Sequence, residues 1–110
     1  MTTKIIIPLF GEEVAPRFDL ATEVRIITQA DDGEILKESA LVLPHASAEQ
    51  LCHMILTEGI QVVICGGIEE EYHQFLTWKR VTVIDSVIGP WPLAEKRFRQ
   101  GTLRSGDVVL

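Results

Sequence analysis

Apolar residues in this chain fall into short continuous runs at two places and into alternating or helical patterns elsewhere. The continuous runs set the frame. Ile60 to Ile68, Ile-Gln-Val-Val-Ile-Cys-Gly-Gly-Ile, is β-branched, barely alternates and contains a glycine pair. This is how a strand buried on both faces reads when it turns into a helix. Lys4 to Phe10 is a second such run, with Pro8 expected at a bulge or near the strand end. Glu23 to Ala30 and Glu34 to Leu43 flank Asp31-Asp32-Gly33 and predict a β-hairpin with glycine at the positive-φ position. Ser47-Ala-Glu-Gln50 has the form of a capping box, and Ala48, Leu51, Cys52 and Ile55 recur at helical spacing up to a terminating Gly59. A second helix is expected over about Glu69 to Trp78, a fifth strand over Val81 to Asp85, and a last helix from about Leu93 to Gln100, ended by Gly101. Residues 102–110 read as an edge extension or a loosely held tail.

The order β-β-β-α-β-α-β-α predicts one α/β domain over residues 1–110, a mixed five-stranded sheet with helices packed on its faces. A right-handed crossover after the third strand places the fourth beside the first, giving spatial order 3-2-1-4-5. Strands one, three, four and five then run the same way. Their carboxyl ends gather the loop 10–19, Pro44-His45-Ala46, the Cys65-Gly66-Gly67 turn and Asp85. Open α/β sheets bind ligands in the crevice at such a switch point.

Composition narrows the function classes. With 110 residues the chain buries roughly two thirds of its extended surface without disulfides or a structural metal. No segment reaches the roughly 20 apolar residues of a membrane span, and Met-Thr-Thr-Lys followed by a short strand lacks the pattern of a secretory signal, so a cytoplasmic location is expected. A formal charge of −6 argues against nucleic acid. Lys96, Arg97, Arg99 and Arg104 read as a solvated face near a helix carboxyl terminus. Cys52 and Cys65 form neither a CxxC pair nor a zinc knuckle and are expected as free thiols.

The loop Gly11 to Asp19 combines a turn glycine, a proline and acids with two apolar anchors, Val14 and Phe18. Arg17 within it either meets an anionic ligand or pairs with Asp19. Gly66 and Gly67 either cradle an anion before the second helix or only permit a tight turn. Cys65 is either a soft-metal ligand or a core residue, and His45 offers an imidazole on the same rim. Cys52 belongs to the apolar stripe of the first helix, and His53 and His73 to exposed helix faces. There is no GxGxxG and no phosphate loop. A two-metal nuclease of ribonuclease H architecture, which shares this strand order, needs carboxylates on its central strands, and Lys4–Phe10 and Ile60–Cys65 have none.

Lys-Ile-Ile-Ile-Pro at 4–8, Val-Ala-Pro-Arg-Phe-Asp at 14–19, the hairpin, and Val-Val-Ile-Cys-Gly-Gly-Ile at 62–68 occur in an order that resembles the dinitrogenase iron-molybdenum cofactor biosynthesis family. That family includes the NifX and NafY carrier domains and the carboxyl-terminal domain of NifB. The likeness spans about residues 4–101. It implies a ribonuclease H-like α/β fold and a non-enzymatic role in nitrogen fixation. The domain would bind an iron-sulfur or iron-molybdenum cluster, or its precursor, and exchange it with a donor or acceptor protein. The carriers commonly have a histidine followed by Phe-Gly where this chain has Arg17-Phe18-Asp19, and a histidine-rich run reduced here to His45. In this respect it looks like stand-alone family members. The resemblance leaves Arg17, Asp19, Gly66 and Gly67 to hold an anionic cargo and Cys65 and His45 as its direct ligands. The alternative is a metal-free regulatory or interaction module that takes a small organic anion or a protein partner in the same crevice.

Overall fold

The apolar runs become a sheet of six strands in the computed structural model, which describes residues 1–110. They are β1 (Thr2–Phe10), β2 (Glu13–Val14), β3 (Glu23–Ala30), β4 (Ile35–Val42), β5 (Val62–Ile64) and β6 (Thr82–Ile84). The main path is β4-β3-β1-β5-β6, with β2 paired to β1 off that path. β1 runs antiparallel to β2 and β3 and parallel to β5, β3 runs antiparallel to β4, and β6 is parallel to β5. Six strands correct the expected five. Gly11, at φ 63°, reverses the chain so that Val14 and Glu13 pair with Leu9 and Phe10, and a two-residue hairpin needs such a φ. With β2 set aside, the path has the expected succession.

Ile5, Ile6, Ile7, Val63 and Ile64 are fully buried because helices cover both faces of β1 and β5. Parity divides them. Ile6 and Val63 meet Leu51 and Ile55 of α1 (Ala48–Thr57) and Leu76 of α2 (Glu70–Trp78). Ile5, Ile7 and Ile64 meet Ala94 of α3 (Trp91–Arg99). The buried face of α1 is Ala48, Leu51, Cys52 and Ile55, and Ser47 Oγ accepts from the Gln50 amide at 3.2 Å. α3 starts earlier than its apolar spacing indicates because Pro92 is tolerated in the first helical turn. The Asp31-Asp32-Gly33 turn forms as expected, Gly33 taking φ 90°.

Residues 102–110 are not a loose tail, nor do they extend the sheet. Leu103 and Val109 enter the core on the α3 face. Val109 donates to the Ile88 carbonyl at 2.8 Å and Ile88 to that of Asp107 at 3.0 Å. Two apolar side chains seek burial, and the backbone pairs with the β6–α3 connection. No helix is long and apolar enough to cross a membrane.

Candidate functional site

The loop between β1 and β3 is held along both sides. Val14 and Phe18 are buried, as their apolar character in a polar loop predicts. On one flank the Val14 amide donates to Gly89 O at 3.0 Å and the Trp91 amide to Glu12 O at 3.0 Å. On the other, the Gly67 amide donates to Pro16 O at 2.7 Å and the Phe18 amide to Gly67 O at 2.8 Å. The loop is a seam rather than a flap. It also fixes the meaning of Gly66, where a Cβ would lie 2.3 Å from Ala15 O and 2.7 Å from Pro16 O. Only glycine allows this approach. Gly67 is less tightly constrained, with Pro16 O at 3.2 Å, but its N–H is already used. α2 starts at Glu70, three residues after the glycine pair, with Glu69, Glu70 and Glu71 at its amino end.

Arg17 grips Asp19 with two bonds, Nε to Oδ1 at 3.0 Å and an Nη to Oδ2 at 2.8 Å. More than half of the Arg17 side chain remains exposed, so its other guanidinium nitrogen still offers donors to a ligand. Beside it lies a hollow of about 250 Å³ lined by Phe10, Ala15, Pro16, Arg17, Leu20 and Ala21. Phe10 and Leu20 are 74% and 61% exposed. These two side chains are a part of the rim that the sequence does not announce. The signal for Phe10 was its place at the end of an otherwise buried strand.

Cys65 sits beneath this surface. Its side chain is fully buried in the core with Phe18, Leu51 and Leu76. Burial, and secondarily the charge of Asp85, push its thiol up to about 12, so it is a neutral core group at physiological pH. Cys52 is likewise buried, its thiol raised to about 11 by burial and then by Glu49. Both cysteines are free.

His45 lies exposed in the turn before α1. Arg17, Asp19, Gly66 and Gly67 are brought together on the seam, with Cys65 below them and His45 in a separate turn. Asp85, at the carboxyl end of β6, lies 3.7 Å from His73 Nε2 and accepts from Ser86 Oγ at 3.1 Å. Spacing gave no hint of the His73 contact, because it joins a helix face to a strand end. No group of three or more His, Cys, Asp or Glu side chains is arranged to hold a metal ion. A larger hollow of about 400 Å³ lies between α1 and α2, where Glu49 and Glu71 give it the wrong charge for an anion. Lys96, Arg97 and Arg99 occupy the last turn of α3, and Arg99 Nε bonds buried Glu95 at 2.6 Å.

No protein-family model and no curated protein matches the chain. Solved structures do. The crystal structure of the protein PH0822 superposes with a TM-score of 0.84 at 17% identity, covering 94% of each chain. A candidate dinitrogenase from Methanocaldococcus jannaschii superposes at 0.76 with 18% identity, over 94% of this chain and 93% of that one. A candidate NifB protein from Thermotoga does so at 0.72 with 18% identity, over 94% and 92%. At these identities the likeness is one of fold: the chain is built, nearly end to end, on the same α/β architecture as proteins named for dinitrogenase and NifB.

Proposed function

We propose that this chain is a non-enzymatic binding protein whose cargo is an iron-sulfur or iron-molybdenum cluster or its precursor, carried as an accessory step in cofactor assembly. The observation that carries the reading is the seat itself. An apolar hollow has the half-exposed guanidinium of Arg17 at its lip, its charge balanced by Asp19 but its outer nitrogen free to donate. On a backbone fixed by the Gly66-Gly67 seam, it offers a seat for a cargo with an apolar body and acceptor atoms such as cluster sulfides. The names of the two fold neighbours point to the same chemistry. Arg17 supplies hydrogen-bond donors that Asp19 holds in place, and His45, exposed in a separate turn that does not line the hollow, is the imidazole whose part the titration tests. Cys65 can ligate only if the seam opens, because its thiol is buried and neutral.

The test is anaerobic titration with a synthetic iron-sulfur cluster, then desalting, iron analysis and the visible spectrum. Stoichiometric iron that falls in Arg17→Ala and His45→Ala supports the carrier reading. Failure of wild-type protein to retain iron refutes it.

The metal-free module is the second reading, favoured by the burial of Cys65 and by the absence of a three-donor group. It expects no retained iron and an Arg17-dependent shift of loop resonances with a small dicarboxylate.

A further inference from the structure

α1 and α2 cover the same face of the sheet and leave between them the hollow of about 400 Å³, a volume within the roughly 300–1,000 Å³ of small-molecule sites. Helical spacing builds its walls. On α1, Glu49, Cys52 and Leu56 recur on the stripe that faces α2. On α2, half-buried Tyr72 and Phe75 lie three residues apart and pack on the core while also lining the hollow. The interior is therefore apolar and aromatic, and the rim is acidic, with Glu49 from one helix and Glu71 from the other. Neither carboxylate joins any of the chain's ion pairs. Each stands in the first turn of its helix, but a helix terminus offsets only about half a charge. Their field reaches Tyr72, whose phenol is held above its ordinary pKa by desolvation and then by Glu71, Glu49 and Glu69. Lys79, which does not line the hollow, shows what these rings attract: its ammonium lies 5.8 Å from the Phe75 ring centroid and 4.8 Å from that of Trp78.

We propose that this hollow is a binding site, distinct from the one at Arg17, for a small organic ammonium with an apolar or aromatic body. Charge complementarity selects the occupant. An anionic ligand of the same shape meets two like charges at the rim, and a neutral one gains nothing from them. An ammonium is drawn both by Glu49 and Glu71 and by the aromatic rings of Tyr72 and Phe75, while its apolar body covers Leu56 and the ring surfaces. His53 is the other titratable group on the rim, and in its protonated form it opposes the ligand. This inference is independent of the cargo reading.

Amide NMR of the full chain at about pH 7.5, above the usual imidazole range, tests it. The probe is phenethylammonium, and its controls are phenethyl alcohol and 3-phenylpropionate, which keep the aromatic body and change the charge. The ammonium is expected to shift the amides of Glu49 to Leu56 and of Glu71 to Phe75 saturably in the millimolar range. The double variant Glu49→Gln with Glu71→Gln should weaken it about tenfold, the scale of two exposed charge pairs. Both glutamates are exposed, so the variant should keep the wild-type circular dichroism spectrum and melting temperature. Shifts that do not saturate overturn the proposal, as does an alcohol or carboxylate that binds as tightly as the ammonium, or a double variant that binds undiminished. A lysine-bearing peptide that shifts the same amides at far lower concentration than the probe also overturns it, because the occupant is then a protein.

Discussion

Adding one methyl group at Gly66 is expected to cost far more than adding it at Gly67. In Gly66→Ala the new Cβ lies 2.3 Å from Ala15 O, 2.7 Å from Pro16 O and 2.9 Å from the Pro16 carbonyl carbon. All three are backbone atoms, so no side chain can rotate away and the loop must lift. Lifting it breaks the Gly67-to-Pro16 and Phe18-to-Gly67 hydrogen bonds, worth about 1 kcal/mol each. It also draws Phe18 partly out of the core, forfeiting a share of the roughly 2 kcal/mol that its burial supplies. The total is about 3 kcal/mol. Gly67→Ala meets only Pro16 O at 3.2 Å, an approach that a few tenths of an ångström relieves, and should cost about 0.5–1 kcal/mol. Neither glycine has a positive φ, so conformational strain is not confounded with the clash. Urea unfolding followed by tryptophan fluorescence measures both variants, and the Gly66 variant should also melt more than about 10 °C lower. A Gly66→Ala protein within about 0.5 kcal/mol of wild type, or one no worse than Gly67→Ala, would show that the seam does not hold the loop.

Further outcomes follow from the buried titratable groups. Cys65 and Cys52 bind their protons more tightly in the native state than unfolded, where the thiol titrates near 9.0. Stability is thus fully present below pH 9 and falls as pH rises toward 11 and 12, with a slope of up to about 1.4 kcal/mol per pH unit for each fully buried thiol. Urea midpoints from pH 8 to 11 check this, and Cys65→Ala should flatten the slope. Arg99→Ala removes the partner of Glu95, a carboxylate only 2% exposed. It should cost about 2–3 kcal/mol, discounted for the partial exposure of Arg99, whereas Arg99→Ala with Glu95→Leu should recover most of that loss in thermal melts. Arg17→Ala removes a pair exposed on the surface and should change stability by less than about 1 kcal/mol. Loss of cargo in that variant could then be read as loss of binding.

Where apolar spacing acts alone, the chain is legible. The stripe Ala48, Leu51, Cys52 and Ile55 is the buried face of α1, and the β-branched run after Ile60 is an inner strand. Val14 and Phe18 stood out because apolar residues in a polar loop have nowhere to go but the core. What escaped depends on backbone meeting backbone. β2 is two residues long, shorter than any period. Residues 102–110 hold only scattered apolar positions, which reveal burial only once the β6–α3 connection lies beside them. At the candidate site, spacing left Gly66 with two meanings, and only the proximity of Ala15 O decides for the structural one. Cys65 likewise occupies the expected strand end, yet its side chain points inward. Side-chain parity at the end of so short a strand cannot be counted from sequence.

The two-sided fastening of the loop after β1 also bears on how the molecule comes apart. The amino-terminal meander and the carboxyl-terminal α/β half share one strand pairing, β1 with β5, beside the apolar packing of β1 and β3 on the helices. In the sheet itself, that pairing is the one place where the halves exchange backbone bonds along a strand. The loop crosses the division, bonded to Gly67 on one flank and to the Gly89–Trp91 stretch on the other. Amide exchange at Val14, Phe18, Gly67 and Trp91 is therefore expected to need the same opening event as exchange in β1. The candidate site lies on the clasp between the two halves, and a ligand seated there would slow the unfolding of both together.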